Sequence, residues 1–275
     1  MCRWLAYIGS PIAIEALLFN ARHSLIDQSM SSASSDAPTN GDGFGVGWYG
    51  RHENPGLFRS VRPAWNDLNL RDLAAHIEAG LFLAHVRAAS LAPVQESNCH
   101  PFRHGQWLLV HNGEIEGIQH FRRELLLAVG PDLFNSVQGT TDSELMFYLA
   151  LTFGLDQDPL GAIERMAGLV ERVGQEHGID KCLSMTLGLS DGKRIHAVRY
   201  SSDGDAPTLY ISRDIEDLHR LDPALHGRLS KETRVVVSEP VGNHAASWVE
   251  IRQHTAVTIH HGEVTHRPFK PTPAV

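Results

Sequence analysis

The sequence has few cysteines, no long hydrophobic run and no excess of basic residues. Its 3 cysteines in 275 residues, at positions 2, 99 and 182, form neither a disulfide framework nor a CxxC zinc site. The longest apolar stretch, around residues 146–151, is far below the ~18 residues of a membrane-spanning helix, and the first residues lack a secretory signal pattern. The net charge of −8 argues against nucleic-acid or membrane-surface partners. We therefore predict a cytoplasmic protein with reduced thiols.

The chain does contain enough apolar residues, 42%, to bury the core of one large domain or two small ones. Helical patterns are predicted over residues 11–20, 70–79, 115–129 and 159–173. A further helix is predicted after the sequence TDSE at residues 141–144, which has the pattern of a capping box. A Ser-rich stretch over residues 29–41 predicts a loop.

Strand patterns occur towards both ends of the chain. Glycine alternates with Phe, Val and Trp over residues 42–47, which predicts a strand whose small face lets another backbone or a ligand come close. Later strands are predicted over residues 183–189, 194–200, 209–212, 234–237 and 256–260, with turn signals at 191–192 and 262–263. Strands at both ends with helices between them favour an α+β fold with antiparallel sheets.

Cys2 is the most informative residue because it directly follows the initiator methionine. Removal of Met1 would place a thiol, with a reference pKa of ~8.5, and an α-amino group, with one of ~7.7–8.0, on the same residue. The amine could then accept the thiol proton, so that one residue supplies both nucleophile and base. The alternative is that Cys2 is a small buried hydrophobic residue on a first strand.

Three other positions offer groups that suit acyl transfer. Asn112 and Gly113 follow an apolar strand and could direct a side-chain amide and a backbone N–H at an oxyanion, although Asn-Gly is also a common turn. Arg87 follows another apolar strand, where a guanidinium suits capture of a carboxylate or forms a structural salt bridge. Asp142, in the first turn of its helix, either caps the helix or pairs with a substrate ammonium.

These motifs, taken in order, resemble the motif series of class II glutamine amidotransferases. The series comprises Cys2, the glycine-rich strand and residues 85–87, 98–102, 111–113 and 140–144. The resemblance implies an N-terminal-nucleophile hydrolase with a four-layer αββα sandwich of mainly antiparallel sheets. It implies that Cys2 is the nucleophile, that Asn112 and Gly113 form the oxyanion hole, and that Arg87 and Asp142 bind the carboxylate and the α-amino group of a glutaminyl substrate.

Residues 1–3, 40–46, 62–66 and 98–102 resemble the small stand-alone branch of this family. That branch includes the γ-glutamyl hydrolase of ergothioneine synthesis and the amidotransferase subunit of the fungal glutathione-degradation complex. We expect one amidotransferase domain over residues 2–260 and a C-terminal tail over 261–275. The expected reaction is cleavage of the γ-glutamyl amide bond of glutamine or a γ-glutamyl compound through a Cys2 thioester. The alternative is a glutaminase subunit that delivers ammonia to a separate synthase.

Two other classes of protein stay open. A metal hydrolase could use some of the 17 histidines, including His85, His100, His104 and His111, although no HExxH or similar ligand spacing is present. A non-catalytic regulatory subunit could keep the sandwich without the chemistry. We predict neither a metal nor a cofactor, and a small-molecule substrate, with a separate partner subunit as an option.

Overall fold

The structure, a computed structural model, describes residues 2–31, 39–89, 92–214, 218, 221, 225–242 and 245–273. Thirteen strands lie within these residues. They are β1 Arg3–Ala13, β2 Phe44–Trp48, β3 Gly56–Ser60, β4 Glu78–Val86, β5 Phe102–His104, β6 Trp107–Ile115, β7 Leu183–Ser190, β8 Ile195–Ser201, β9 Tyr210–Ser212, β10 Arg234–Val237, β11 Trp248–Glu250, β12 Thr255–His260 and β13 Glu263–Pro268.

Six α-helices lie within the same described residues. They are α1 Leu25–Met30, α2 Leu68–His76, α3 Arg122–Leu127, α4 Pro131–Phe134, α5 Asp142–Thr152 and α6 Pro159–Glu176. Short 3-10 helices cover Ala64–Asn66, Glu96–Asn98, Ile118–His120 and Ala245–Ser247, and a π-helical turn covers Ala16–Asn20. No helix among the described residues is long and apolar enough to cross a membrane.

The strands form two antiparallel sheets that pack face to face. The first sheet has the order β11-β9-β10-β1-β4-β2-β3 and the second has the order β13-β12-β8-β7-β6-β5. A core between the sheets contains Trp4 and Ala6 of β1 and Leu108 and Val110 of β6. The outer face of the first sheet packs on the π-helical turn, α1 and α2, and that of the second packs on α3, α5 and α6. This is the four-layer αββα sandwich expected from the sequence.

The glycine-rich strand β2 is placed as predicted, with a second backbone against its small face. A Cβ atom on Gly45 would lie 2.2 Å from the carbonyl oxygen of His100, and one on Gly47 would meet the Leu108 side chain at 2.7 Å. Both distances are shorter than Cβ contacts in proteins. Glycine is therefore required here by close packing of the two sheets and the segment around His100.

Two predicted helices have the wrong extent. Residues 11–20 were expected to be helical, but β1 continues to Ala13, where Ile12 pairs with Ala79 of β4. The i, i+2 spacing of Ile12 and Ile14 fits a strand, and sheet pairing overrides the helical pattern. The helix expected over 70–79 begins earlier, because the side chain of Asp67 caps it by accepting from the Leu70 amide at 2.8 Å, and it ends at His76 before β4.

Two further boundaries differ. The segment predicted as a helix over 115–129 starts with the last residue of β6 and becomes α-helical only in α3. The loop predicted over 29–41 begins inside α1, and residues 32–38 lie outside the described residues. The helix predicted over 159–173 agrees with α6, and the strands predicted from residue 183 onwards agree with β7, β8, β9, β10 and β12 to within about two residues.

The stretch after residue 260 contributes to the sandwich. Strand β13 pairs along its length with β12, from Thr255 opposite Pro268 to His260 opposite Glu263. Phe269 is 1% exposed and packs in the core beneath α6, and the Thr272 amide donates to the Glu164 carbonyl at 3.0 Å. The sheet therefore runs beyond residue 260, the boundary expected from the sequence.

Candidate active site

Cys2 stands immediately before β1 at one end of the sandwich. In the β1–β4 pairing Arg3 lies opposite Val86, so Cys2 lies next to the segment that follows β4. The Cys2 thiol is partly buried, and it donates to the carbonyl oxygen of Ala88 at a sulfur–oxygen distance of 3.5 Å. The sheet thus brings the predicted nucleophile beside Arg87, although the two residues are 85 positions apart in the chain.

The protein environment disfavours the thiolate form of Cys2. Burial raises the pKa of the thiol above its ordinary value; the Ala88 hydrogen bond and the positive charge of Arg87 lower the pKa, and the negative charge of Asp142 raises it. Because burial is the largest of these effects, the thiol is protonated at neutral pH. Nucleophilic attack by this sulfur therefore requires a base. Arg87 and Asp142 therefore have opposite electrostatic effects on the Cys2 sulfur.

Arg87 is buried, and no described carboxylate forms an ion pair with its guanidinium. Its Nη2 donates to the Ala92 carbonyl at 3.0 Å and its Nη1 to the Asp42 carbonyl at 3.5 Å, and no salt bridge to a described acidic residue is present. Three further hydrogen bonds hold the backbone of residues 87–89 against Asp42 and Gly43. One of them runs from the Ala89 amide to Asp42 Oδ2 at 2.8 Å. A rigid guanidinium with remaining donors can hold a carboxylate.

Asn112 and Gly113 lie within strand β6, and not in the turn that an Asn-Gly pair often forms. Asn112 pairs with Thr186 of β7, and Gly113 pairs with Met185. Gly113 has a φ of +147°, and a Cβ atom there would lie 2.0 Å from the Ser184 carbonyl oxygen. The β6–β7 ladder therefore accepts only glycine at this position without moving a strand.

A hydrogen-bond chain connects β1, the strand that follows Cys2, to β6. Trp4 Nε1, two residues beyond Cys2, donates to Thr186 Oγ1 at 3.2 Å, and Thr186 Oγ1 donates to the Asn112 carbonyl at 3.3 Å. Side chains two residues apart on a strand point to the same face. The chain therefore fixes the two sheets against each other directly beside Cys2 and Asn112.

Asp142, the first residue of α5, is held by three donors. Its Oδ2 accepts from the Ile115 amide at 2.9 Å, and its Oδ1 accepts from the Ser143 amide and hydroxyl at 2.7 and 3.1 Å. The helix cap itself is Thr141, whose hydroxyl accepts from the Glu144 amide at 3.2 Å. The carboxylate of Asp142 is therefore positioned by its neighbours and is not the residue that caps the helix.

Only one half of the expected capping box at residues 141–144 is present. The Glu144 carboxylate accepts from the amides of Gln138 and Gly139 at 3.0 and 2.6 Å, within the loop before α5. The same loop is braced by Asn98, whose Oδ1 accepts from the Thr140 amide at 2.8 Å. The motif at residues 98–102 thus supports the start of α5 and so the location of Asp142.

A buried histidine cluster, which sequence reasoning did not place, lies between the strands that carry these residues. His85 Nε2 donates to the His111 carbonyl at 3.1 Å, and the His100 ring lies 4.1 Å from the His85 ring. His111 Nδ1 meets the Ser143 hydroxyl at 2.8 Å. The single proton of the Ser143 hydroxyl is donated to Asp142, so the hydroxyl oxygen accepts from His111. This fixes the tautomer of His111 with its proton on Nδ1. His111 therefore connects the strand that bears Asn112 to Asp142.

The cluster is kept neutral by its surroundings. Burial lowers the pKa of His85 to about 3 and lowers those of His100 and His111 below the ordinary value. His104, grouped with them in the metal hypothesis, contacts the Tyr148 ring instead. Among the described residues, no three His, Cys, Asp or Glu side chains are arranged to hold a metal ion.

Arg3 and Glu239 form a buried ion pair next to Cys2, which the sequence did not reveal. Arg3 Nε lies 2.9 Å from Glu239 Oε2, and His23 Nε2 lies 2.6 Å from Glu239 Oε1. Although burial raises the pKa of Glu239, its hydrogen bonds with Arg3 and His23 hold that pKa below the ordinary value. Arg3 and Glu239 are 236 positions apart, so only the pairing of β1 with β10 brings them together.

Two cavities among the described residues differ in their relation to the predicted site. One, of about 430 Å³, includes Asn112 in its wall and lies at the Cys2 end. The other, of about 570 Å³, lies beside the turns at Tyr49, Gly192 and Gly262, and none of the predicted site residues lines it. Of the five predicted site residues, only Asn112 lines the smaller cavity.

The sequence matches a model of the family described as class II glutamine amidotransferases over residues 20–274. The chain is 30% identical to the probable glutamine amidotransferase DUG3 of Saccharomyces cerevisiae, in an alignment that covers 94% of this chain and 82% of the yeast protein. It is 27% identical to the γ-glutamyl-hercynylcysteine sulfoxide hydrolase of Mycolicibacterium smegmatis, covering 98% and 100% of the two chains.

Solved structures agree with these matches. A glutamine aminotransferase class-II domain protein from Silicibacter pomeroyi is 34% identical, with a TM-score of 0.74 over 98% of this chain and 100% of its own. The glutamine phosphoribosylpyrophosphate amidotransferase of Bacillus subtilis shares the fold at 12% identity, with a TM-score of 0.66 over 99% of this chain and 50% of its own. The chain is an enzyme that belongs to the class II glutamine amidotransferases.

Proposed function

We propose that this enzyme hydrolyses the γ-glutamyl amide bond of glutamine or of a γ-glutamyl compound through a thioester on Cys2. The observation that carries the proposal is the position of the partly buried Cys2 thiol, next to Ala88 and under the charges of Arg87 and Asp142. Two opposite charges at fixed positions match the carboxylate and ammonium groups of an α-amino acid. A substrate gripped in this way presents its γ-carbonyl to the sulfur.

The base in this proposal is the α-amino group of Cys2, exposed by removal of Met1. Burial keeps the thiol protonated at neutral pH, so a proton acceptor beside the sulfur is required. A free α-amino group, with an ordinary pKa of ~7.7–8.0, is suited to accept that proton and later return it. No metal or cofactor takes part in this chemistry.

The reaction follows from these groups. The thiol proton passes to the α-amine, and the sulfur attacks the γ-carbonyl carbon. The oxyanion that forms accepts from the Asn112 amide and the Gly113 N–H, donors worth ~3–4 kcal/mol each by analogy with protease variants. The ammonium form of the amine then protonates the leaving nitrogen as the C–N bond breaks. Water attacks the thioester, gives its proton to the amine and releases glutamate and the thiol.

The test combines maturation with activity. We expect N-terminal sequencing and intact mass of the purified enzyme to start at Cys2, and we expect hydrolysis of glutamine or γ-glutamyl anilide. Cys2→Ala should lower turnover at least ~10³-fold without changing the fold, whereas Cys99→Ala, which removes a buried thiol that contacts the Ser60 and Gln95 carbonyls, should keep most activity. Full activity in Cys2→Ala, or an active enzyme that retains Met1, contradicts the proposal.

A further inference from the structure

The backbone of His23 has a conformation that is unfavourable for a residue with a side chain. Its φ is +50°, in the left-handed region that residues other than glycine rarely adopt. Such a conformation costs free energy and persists only where the surrounding contacts determine the local structure. Contacts with other parts of the chain must therefore hold His23 in place.

Hydrogen bonds of groups other than the imidazole hold the backbone of this segment. The Gly242 amide donates to the Arg22 carbonyl at 2.6 Å, and Gln28 Nε2 donates to the His23 carbonyl at 3.1 Å. Ser24, the next residue, caps α1. These bonds account for the position of the segment, but they do not explain where the His23 ring lies.

The imidazole of His23 binds a buried carboxylate. Its Nε2 lies 2.6 Å from Oε1 of Glu239. Because an ionised carboxylate can only accept, Nε2 carries a proton and donates it to this hydrogen bond. Burial acts to raise the pKa of Glu239, but the hydrogen bonds from Arg3 and His23 bring it below the ordinary value, so Glu239 is charged at neutral pH.

The two oxygens of Glu239 accept from residues on different sides. Oε1 accepts from His23, and Oε2 accepts from Arg3 Nε at 2.9 Å. Arg3 also donates from Nη1 to the Cys2 carbonyl at 2.9 Å. Three successive hydrogen bonds therefore lead from the His23 ring to the backbone of Cys2.

The backbone before Glu239 is fixed to β1 independently of this route. The Ser238 amide donates to the Trp4 carbonyl at 3.0 Å, and the Trp4 amide donates to Ser238 Oγ at 3.0 Å. The direction of the Glu239 carboxylate, in contrast, depends on its side-chain torsions. It is therefore set by the donors that the carboxylate meets, Arg3 and His23.

We infer that His23 is a positioning residue for the hydrolysis. Its imidazole orients the Glu239 carboxylate, which in turn orients the Arg3 guanidinium. Arg3 then fixes the backbone of Cys2 and with it the direction of the sulfur and the amine. The inference rests on the proposed function, because His23 affects turnover by this route only if Cys2 is the nucleophile. A small misplacement of a reacting group slows the chemical step strongly.

The first experiment separates kcat from KM for glutamine. His23→Phe removes the donor to Glu239, and we expect kcat to fall about tenfold while KM stays within about twofold of wild type, because other residues hold the substrate. His23→Gln places an amide N–H near the same oxygen, so it should recover kcat to at least about a third of the wild-type value. Each variant is assayed where urea unfolding shows that it is folded.

His261→Phe is the matched control. His261 has nearly the same backbone conformation, with a φ of +48°, and its Nδ1 lies 3.9 Å from a carboxylate oxygen of Glu232. Both of these side chains are mostly exposed, and His261 lies in the turn between β12 and β13. His261→Phe should leave kcat and KM unchanged. The control thus separates the contact of His23 with Glu239 from the general effect of changing a left-handed histidine.

A double-variant cycle tests the route through Glu239. Glu239→Ala removes the carboxylate, so adding His23→Phe to it should not lower kcat further. Changes that act independently would instead multiply their effects on kcat. If Glu239→Ala does not fold, the comparison of His23→Phe with His23→Gln and His261→Phe still decides.

The outcomes separate the two proposals. A wild-type enzyme that hydrolyses neither glutamine nor γ-glutamyl anilide, or that stays active as Cys2→Ala, overturns the proposed function. A Cys2-dependent enzyme in which His23→Phe keeps the wild-type kcat overturns the role of His23 alone. The same conclusion follows if KM rises while kcat is unchanged, if His23→Gln recovers nothing, or if the two changes in the cycle multiply.

Discussion

The guanidinium of Arg3 donates from Nη1 to the carbonyl oxygen of Cys2 at 2.9 Å while its Nε contacts Glu239. Arg3 is 2% exposed, and the carboxylate that holds it is itself buried beside His23. This arrangement fixes the backbone of the residue that we propose as nucleophile. A group that orients the Cys2 carbonyl also orients its amine and thiol.

Glu239→Gln should therefore weaken both the fold and the activity. The change keeps the shape of the side chain but removes the carboxylate charge that pairs with the buried guanidinium of Arg3, a loss that costs ~3–5 kcal/mol in other proteins. The free energy of unfolding, measured in urea, should fall by that order. Glu78→Gln is the matched control, because its ion pair with Arg228 is half exposed and such pairs contribute ~0–1 kcal/mol. Equal losses in the two variants would contradict this role.

Gly113→Ala should destabilise the enzyme far more than an alanine at another positive-φ glycine. Gly105 has a φ of +52° and open space where a Cβ would lie, whereas a Cβ at Gly113 would meet the Ser184 carbonyl at 2.0 Å. Gly105→Ala should lose only the ~1–2 kcal/mol of a left-handed residue. Gly113→Ala should lose more free energy of unfolding than Gly105→Ala in urea, because its Cβ displaces β7. We expect kcat of Gly113→Ala to fall as well.

Recognition of the α-amino group should depend on Ser143. Ser143→Ala removes one of the three donors to Asp142, so the carboxylate is less well oriented towards an ammonium. We expect KM for glutamine to rise while kcat changes little. The preference for glutamine over glutaramate, which lacks the α-amino group, should shrink by about fivefold to tenfold, the effect of ~1 kcal/mol. His111→Phe should give the same loss of preference, since it removes the donor to the Ser143 hydroxyl; a preference that survives both changes would place amine recognition elsewhere.

Acid should destabilise the fold through the histidine cluster. Burial lowers the pKa of His100 in the folded enzyme, so below the unfolded value of ~6.5 the unfolded chain binds more protons than the folded one. Stability is thus complete above pH ~6.5 and falls as the pH drops towards the lowered folded pKa, by up to ~1.4 kcal/mol per pH unit for each such histidine.

His100→Phe should make that pH dependence less steep. Urea unfolding between pH 7 and pH 5 should show a smaller loss of stability in His100→Phe than in wild type. His52 is exposed on a loop, so His52→Phe should keep the wild-type slope. A slope that is the same in all three proteins would mean that the cluster does not control acid unfolding.

The sequence predicted much of the local structure because the relevant patterns are local. The alternation in β7, the apolar face of α6 and the glycines of β2 each predict their element from a few adjacent residues. The helix prediction over residues 11–20 was wrong for residues 11–13, because Ile12 fits both a helix and a strand, whereas residues 16–20 form a π-helical turn. Only the pairing of Ile12 with Ala79, far away in the chain, decides between them.

By itself the sequence determined which chemical groups are available: a cysteine after the initiator, an arginine and an Asn-Gly pair after apolar strands, and an aspartate at a helix start. The roles of Cys2, Arg87, Asn112, Gly113 and Asp142 remain proposals. The tertiary structure decided which charges reach the Cys2 sulfur, that Arg3 meets Glu239, and that a cavity opens beside Asn112. These features depend on strand order and register, which join residues distant in the chain, and no local pattern encodes them.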